Sequence, residues 1–166
     1  MIVSRRPLDP RHCNVTIDAN ALDRDGTDRD RSIDRLLGLH RTRVLNIVVP
    51  KGVRVEALHR NTPDYVRNEI ASKIFTIETE LTQPELEQLR RIEAMLRGNA
   101  ELGKHAADAR HLFEAGKYGG GYFVTNDCRM LKKRGELAAV LPPSLNIVTL
   151  GELLAIYDDY ESGRRI

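Results

Sequence analysis

Long hydrophobic runs are missing from this chain. No apolar stretch approaches the roughly 18 residues that a bilayer-crossing helix needs, so the sequence argues against a membrane span. Arg5 and Arg6 are not followed by an apolar core, so a secretory leader is not expected and the default location is the cytoplasm. Cysteine is scarce, with only Cys13 and Cys128. One precedes the first strand candidate and the other follows a strand end. In a parallel sheet they would lie at opposite ends, beyond the Cα separation of about 7 Å that a disulfide tolerates. An excess of one charge is also lacking: 26 Lys and Arg face 24 Asp and Glu, giving +2. Net charge alone therefore makes no case for nucleic-acid binding. Repeats and low-complexity tracts are absent. What remains is 166 residues, 41% hydrophobic and 30% charged, most simply one globular domain.

Patterning along the chain is that of alternating strands and helices. Residues 1–13 form a polar, proline-containing lead-in, residues 14–160 the domain and residues 161–166 a tail. Strands are expected at Val15–Ile17, Val44–Val49, Tyr122–Thr125 and Asn146–Leu150. A helix capped by Asp28 or Asp30 should carry Ile33, Leu36, Leu37 and His40 on one face. Pro50 is suited to open the next helix, which carries Val53, Glu56 and Ala57. Further helices are expected over Pro63–Phe75, Pro84–Leu96, Lys104–Lys117, Arg129–Arg134 and Gly151–Tyr157. Strands separated by helices imply crossovers. The expected fold is thus a Rossmann-like three-layer α/β/α arrangement around a mainly parallel sheet.

Two of those strands run straight into an aspartate. Asn14-Val15-Thr16-Ile17 ends at Asp18, and Tyr122-Phe123-Val124-Thr125-Asn126 ends at Asp127. In open α/β sheets, ligands bind in the crevice at the carboxyl ends of the strands. Glu56 follows the second strand and Asp108 opens the helix leading into the strand that ends at Asp127, so four acids can converge there. Clustered carboxylates repel unless a cation neutralises them or one is protonated. Oxygen donors without a Cys or His partner point to Mg²⁺ or Mn²⁺ rather than zinc. Such an ion would polarise a phosphoryl oxygen and lower the pKa of a bound water, the needs of phosphodiester hydrolysis. Simpler roles exist for each acid. Asp127 could merely cap the helix behind it, Asp108 could merely answer a helix dipole, and Glu69 rivals Glu56.

These residues also carry a resemblance. Ile17-Asp18-Ala19-Asn20, Val48-Val49-Pro50 leading to Glu56-Ala57-Leu58, His105-Ala106-Ala107-Asp108-Ala109-Arg110-His111-Leu112 and Phe123-Val124-Thr125-Asn126-Asp127 resemble, in order, the motifs of PIN-domain nucleases. The similarity spans about residues 14–155 and is greatest to single-domain VapC-type toxin ribonucleases. It implies metal-dependent cleavage of RNA, with Asp18, Glu56, Asp108 and Asp127 in the acidic positions and Asn20, Thr125 and Asn126 supporting them. It further implies a separately encoded antitoxin and association into homodimers.

An acidic pocket repels phosphate, so cations should border it. Lys132, Lys133 and Arg134 follow Asp127 within about two helical turns, and Arg110 follows Asp108, which suggests a basic rim for RNA. His105, one turn before Asp108, is placed to touch it or the substrate. His105 and His111 are six apart, on different helix faces, and do not form a metal pair. The loop Asp23-Arg24-Asp25-Gly26 fails as a calcium loop because Ala21 and Ser32 stand where acids are required. A phosphatase with Asp18 as nucleophile needs an aspartate where Asn20 stands. A PIN-like module that binds RNA or protein without cutting is the non-enzyme alternative.

Overall fold

The computed structural model describes residues 7–52, 64–71, 74–75 and 80–163. Five parallel strands, β1 (Asn14–Ile17), β2 (Asn46–Val49), β3 (Ile74–Phe75), β4 (Gly121–Val124) and β5 (Leu145–Val148), form one sheet in the order β3-β2-β1-β4-β5. The α-helices with described bounds are α1 (Asp28–Arg41), α2 (Asp64–Ala71), α3 (Gln83–Arg97), α4 (Ala106–Lys117), α5 (Cys128–Leu137) and α6 (Leu150–Glu161). Among the described residues no helix is long and apolar enough to cross a membrane.

The three layers follow from the period-2 alternation of strand side chains. Val15, Ile17, Ile47, Val49, Tyr122 and Val124 pack on one face against Ile33, Leu36 and Leu37 of α1 and Leu153, Leu154 and Tyr157 of α6. Phe123 and Ile147 point the other way, into a second core with Ile92 and Leu96 of α3, Leu112 and Phe113 of α4 and Met130 of α5. Burial on both faces explains why β4 is apolar without a break. The lead-in is tied to this body: the Tyr122 hydroxyl donates to Leu8 O at 2.5 Å, and the Tyr160 hydroxyl donates to Pro7 O.

Several boundaries differ from the sequence expectation. The helix expected to reach Phe75 ends at Ala71, and Ile74–Phe75 pair with β2 as an edge strand. Two residues are too few to display an alternating pattern, so the fifth strand had no periodic signature. Thr27, not Asp28 or Asp30, caps α1, its hydroxyl accepting from Arg29 N–H. Asp30 turns back instead and accepts from the N–H groups of Asp25 and Gly26. Thr149 caps α6 in a reciprocal capping box with Glu152, ending β5 at Val148.

The strand order has a functional consequence. From β1 the chain steps outward through β2 to β3, then returns to place β4 on the other side of β1. Such a reversal opens a crevice between β1 and β4 at their carboxyl ends. Gly121 makes the close pairing feasible: at φ 94°, a Cβ there would lie 2.2 Å from the backbone oxygen of Asn14.

Candidate functional site

β1 and β4 are in register at Ile17 and Val124, so the next residues, Asp18 and Thr125, leave the sheet side by side. Asp18 N–H donates to Val124 O at 2.9 Å, and Thr125 N–H donates to Val148 O at 3.1 Å. Both side chains are buried. The Thr125 hydroxyl donates to Asp18 Oδ2 at 2.9 Å and accepts from Asp127 N–H at 3.0 Å. Its single proton goes to the carboxylate, because the other acceptor in reach, Asn20 Oδ1, is farther away at 3.3 Å. Asn20 Oδ1 accepts instead from Asn126 N–H at 3.0 Å, while the Asn126 amide donates to Asn20 O at 2.7 Å. The two loops are thereby stitched together.

Burial pushes the Asp18 carboxyl up to about 6. The hydrogen bonds from Thr125 and from Ala19 N–H pull against that, and the charges of Asp108 and Asp127 add to the rise. Asp18 therefore feels two of the other three acids singled out in the sequence. Asp127 Oδ1 accepts from Arg129 N–H at 2.7 Å and Met130 N–H at 3.2 Å, so it does cap α5. It is cap and neighbour of Asp18 at once. Asp108 lies in the first turn of α4, about one third exposed, with Oδ2 3.3 Å from His105 Nδ1. Glu56 lies outside the described residues. Its rival Glu69 belongs to α2.

The donor chemistry of Asp18, Asp108 and Asp127 suits a hard divalent cation: oxygen ligands only, around a carboxyl raised first by burial and then by its acidic neighbours. Their spacing is looser than the few ångströms expected for a shared ion. Among the described residues no three Asp, Glu, His or Cys side chains stand close enough to hold one metal together. Asp127 and Asp108 each also face another partner, the α5 N–H groups and His105.

The expected basic rim is only partly present. Lys133 Nζ donates to Met95 O and Arg129 Nη1 to Leu96 O, so these two cations hold the carboxyl end of α3. Arg134 pairs with Glu152 at 2.9 Å and reaches Ile147 O at 3.5 Å, so its charge is engaged at β5. Arg110 Nε donates to Glu114 Oε1 at 3.2 Å. Lys132 is exposed and lines a shallow cavity of about 350 Å³ with Cys128, Arg129 and Lys133, just beyond Asp127. Cys13 and Cys128 are free thiols, as their opposite-end placement required.

One residue at the site had no signal in the sequence. Arg29 Nη2 donates to Asn20 O at 2.5 Å, setting a guanidinium against the same carbonyl that Asn126 binds. It sits eleven residues after Asp18 in a stretch rich in Arg and Asp, where nothing local separates it from its neighbours. His111 is buried at 2% exposure, and a Cβ on Gly52 would come within 2.6 Å of its Nε2. Gly52, three residues past the end of β2, therefore lies directly against α4. The chain matches no known family model and no curated protein.

Proposed function

We propose that this protein is a Mg²⁺- or Mn²⁺-dependent endoribonuclease of the PIN type. The observation that supports it most is the buried Asp18 carboxyl at the switch point of the sheet, raised by burial and by the charges of Asp108 and Asp127. A site with that character gains most from a divalent cation. Asp18, Asp108 and Asp127 would hold it, with Glu56 as the fourth acid on the strength of the sequence resemblance. A bound ion would supply Lewis-acid polarisation of a phosphoryl oxygen and would lower the pKa of a water so that it could attack phosphorus as hydroxide. Thr125 aims the Asp18 carboxylate, and the Asn20–Asn126 pair keeps the two loops at fixed spacing. On this reading the protein acts as the toxin of a toxin–antitoxin pair, with a separately encoded antitoxin as partner and a homodimer as its working form.

A second reading draws on Asp127, whose Oδ1 is already committed to two helix N–H groups. It makes the protein a PIN-like module that binds RNA without cutting it. One experiment separates the two. A mixed RNA pool is incubated with wild-type protein and Mn²⁺, with EDTA added, and with Asp18→Asn. Cleavage that needs metal and disappears in the variant supports the nuclease. RNA retained but uncut supports the binding module, and cleavage that survives EDTA sinks the metal chemistry.

A further inference from the structure

His105 precedes α4 at the N-cap position, yet its side chain caps no backbone N–H. The residue is only 9% exposed, and its Nδ1 lies 3.3 Å from Asp108 Oδ2. Its other nitrogen, Nε2, is fully buried and has no hydrogen-bond partner among the described residues. A buried polar atom without a partner lowers stability, and an apolar side chain of similar size avoids that cost. The imidazole is thus a poor choice for packing alone, and its usefulness must lie at Nδ1.

A neutral imidazole carries one proton. A carboxylate facing Nδ1 draws that proton to Nδ1, leaving Nε2 bare, in keeping with its lack of an acceptor. The three acids then share a design. Asp18 accepts from the Thr125 hydroxyl, Asp127 from two N–H groups of α5, and Asp108 from an imidazole. Asp108 is the most exposed to competition from water, since about one third of its side chain is accessible.

We infer that His105 is a positioning residue for Asp108: its Nδ1–H fixes the orientation in which that carboxylate joins the acidic cluster, and so sets how tightly the cluster takes a divalent cation. The second half of this inference rests on the metal reading above; the first half rests on geometry alone. Groups that orient a ligating carboxylate typically change metal affinity by about 10- to 100-fold when removed.

The test uses the intact chain and three variants, with Mn²⁺ as the probe. His105→Asn keeps an amide N–H near the place of Nδ1. His105→Gln puts its amide near Nε2 instead, and His105→Leu has no donor. We expect His105→Gln and His105→Leu to weaken Mn²⁺ binding by about 10- to 100-fold, and His105→Asn to stay within about threefold of wild type. The thermal midpoint of His105→Leu should match or exceed that of wild type, because the orphaned nitrogen is gone. Mn²⁺ affinity unchanged in all three, or weakened equally in all three in step with the thermal midpoint, would overturn the inference. A wild type that binds no Mn²⁺ would instead remove the metal reading. Long-range ¹H–¹⁵N NMR of the metal-free protein at pH 8 then decides the contact itself: a proton on His105 Nδ1 supports it, and a bare Nδ1 refutes it.

Discussion

Thr125 and Asp18 are 107 positions apart in sequence, yet the hydroxyl of one donates to the carboxylate of the other at 2.9 Å in the interior. The contact exists because the returning chain lays β4 beside β1. It is also an unequal contest. One hydrogen bond to a charged group contributes about 1.5–3 kcal/mol, and burial of a carboxylate beside two others outweighs it, since the Asp18 carboxyl is pushed up to about 6 in spite of Thr125. The site holds negative charge at the expense of stability, as binding sites commonly do.

The first prediction follows from the direction of that shift. The folded state binds the Asp18 proton more tightly than the unfolded chain, so this residue favours folding most below about pH 4. That benefit is lost as the pH rises through about 6. Asp18→Asn cannot ionise and escapes the loss. In metal-free buffer the variant should therefore exceed wild type in stability above pH 6, by on the order of 2–3 kcal/mol at most, with the difference vanishing toward pH 4. The lowered carboxyls of Asp9, Asp34, Asp158 and Glu152 act in the opposite sense but are common to both proteins and cancel. Urea denaturation at several pH values measures this, and a gap that does not change with pH would contradict it.

Removing the hydroxyl should be costly for a different reason. Thr125→Val keeps the shape of the side chain but strips Asp18 of its side-chain donor, leaving only Ala19 N–H, and Asp127 N–H of its acceptor. Buried groups left unpaired cost about 1–3 kcal/mol each. We expect a loss on the order of 2–4 kcal/mol at pH 7, and a smaller one near pH 4, where a protonated Asp18 needs less support. Equal losses at the two pH values would mean that Thr125 serves packing only.

Gly52 and His111 should behave as a coupled pair. Gly52→Ala forces a methyl toward Nε2 of a buried ring, an overpacking that typically costs about 1–3 kcal/mol. In a His111→Ala background the same methyl meets open space, and the penalty should largely vanish. A double-mutant cycle on thermal stability gives the coupling directly. Additive effects would show that the two sites do not touch.

Salt dependence separates the basic residues. A side chain that neutralises one phosphate of a single-stranded RNA contributes about 0.7 to the slope of log affinity against log salt, through the counterion it releases. Lys132 is exposed in the cavity it shares with Cys128, the residue after Asp127, whereas Arg134 is paired with Glu152. In the Asp18→Asn background, Lys132→Ala should reduce the slope by about that amount and Arg134→Ala should leave it unchanged. The reverse pattern would move the RNA path to the outer edge of the sheet.

Much of this architecture is legible one segment at a time. The unbroken apolar run Tyr122, Phe123 and Val124 already encodes a strand buried on both faces, because side chains on a pleat point opposite ways. Proline and the Gly119-Gly120-Gly121 run mark helix ends through backbone limits that act locally. Asp18 and Asp127 announce themselves by ending apolar runs. Each of these signals lies within a few residues, where one side chain's chemistry constrains its neighbours along the chain.

Partnership across the fold is another matter, and only the tertiary structure decided it. That Thr125 serves Asp18, that Arg29 reaches Asn20 and that Ile74–Phe75 join β2 depend on which strand returns beside which. Asp127 and Arg134 show the same limit in a single side chain. The sequence allows the first to cap a helix or face a metal, and the second to meet RNA or an acid. The outcome rests on distances that local pattern does not encode: two N–H groups at the start of α5 claim one oxygen of Asp127, and Glu152 claims Arg134. A side chain binds the nearest group able to compensate its charge or its lost water, and what is nearest is set by packing.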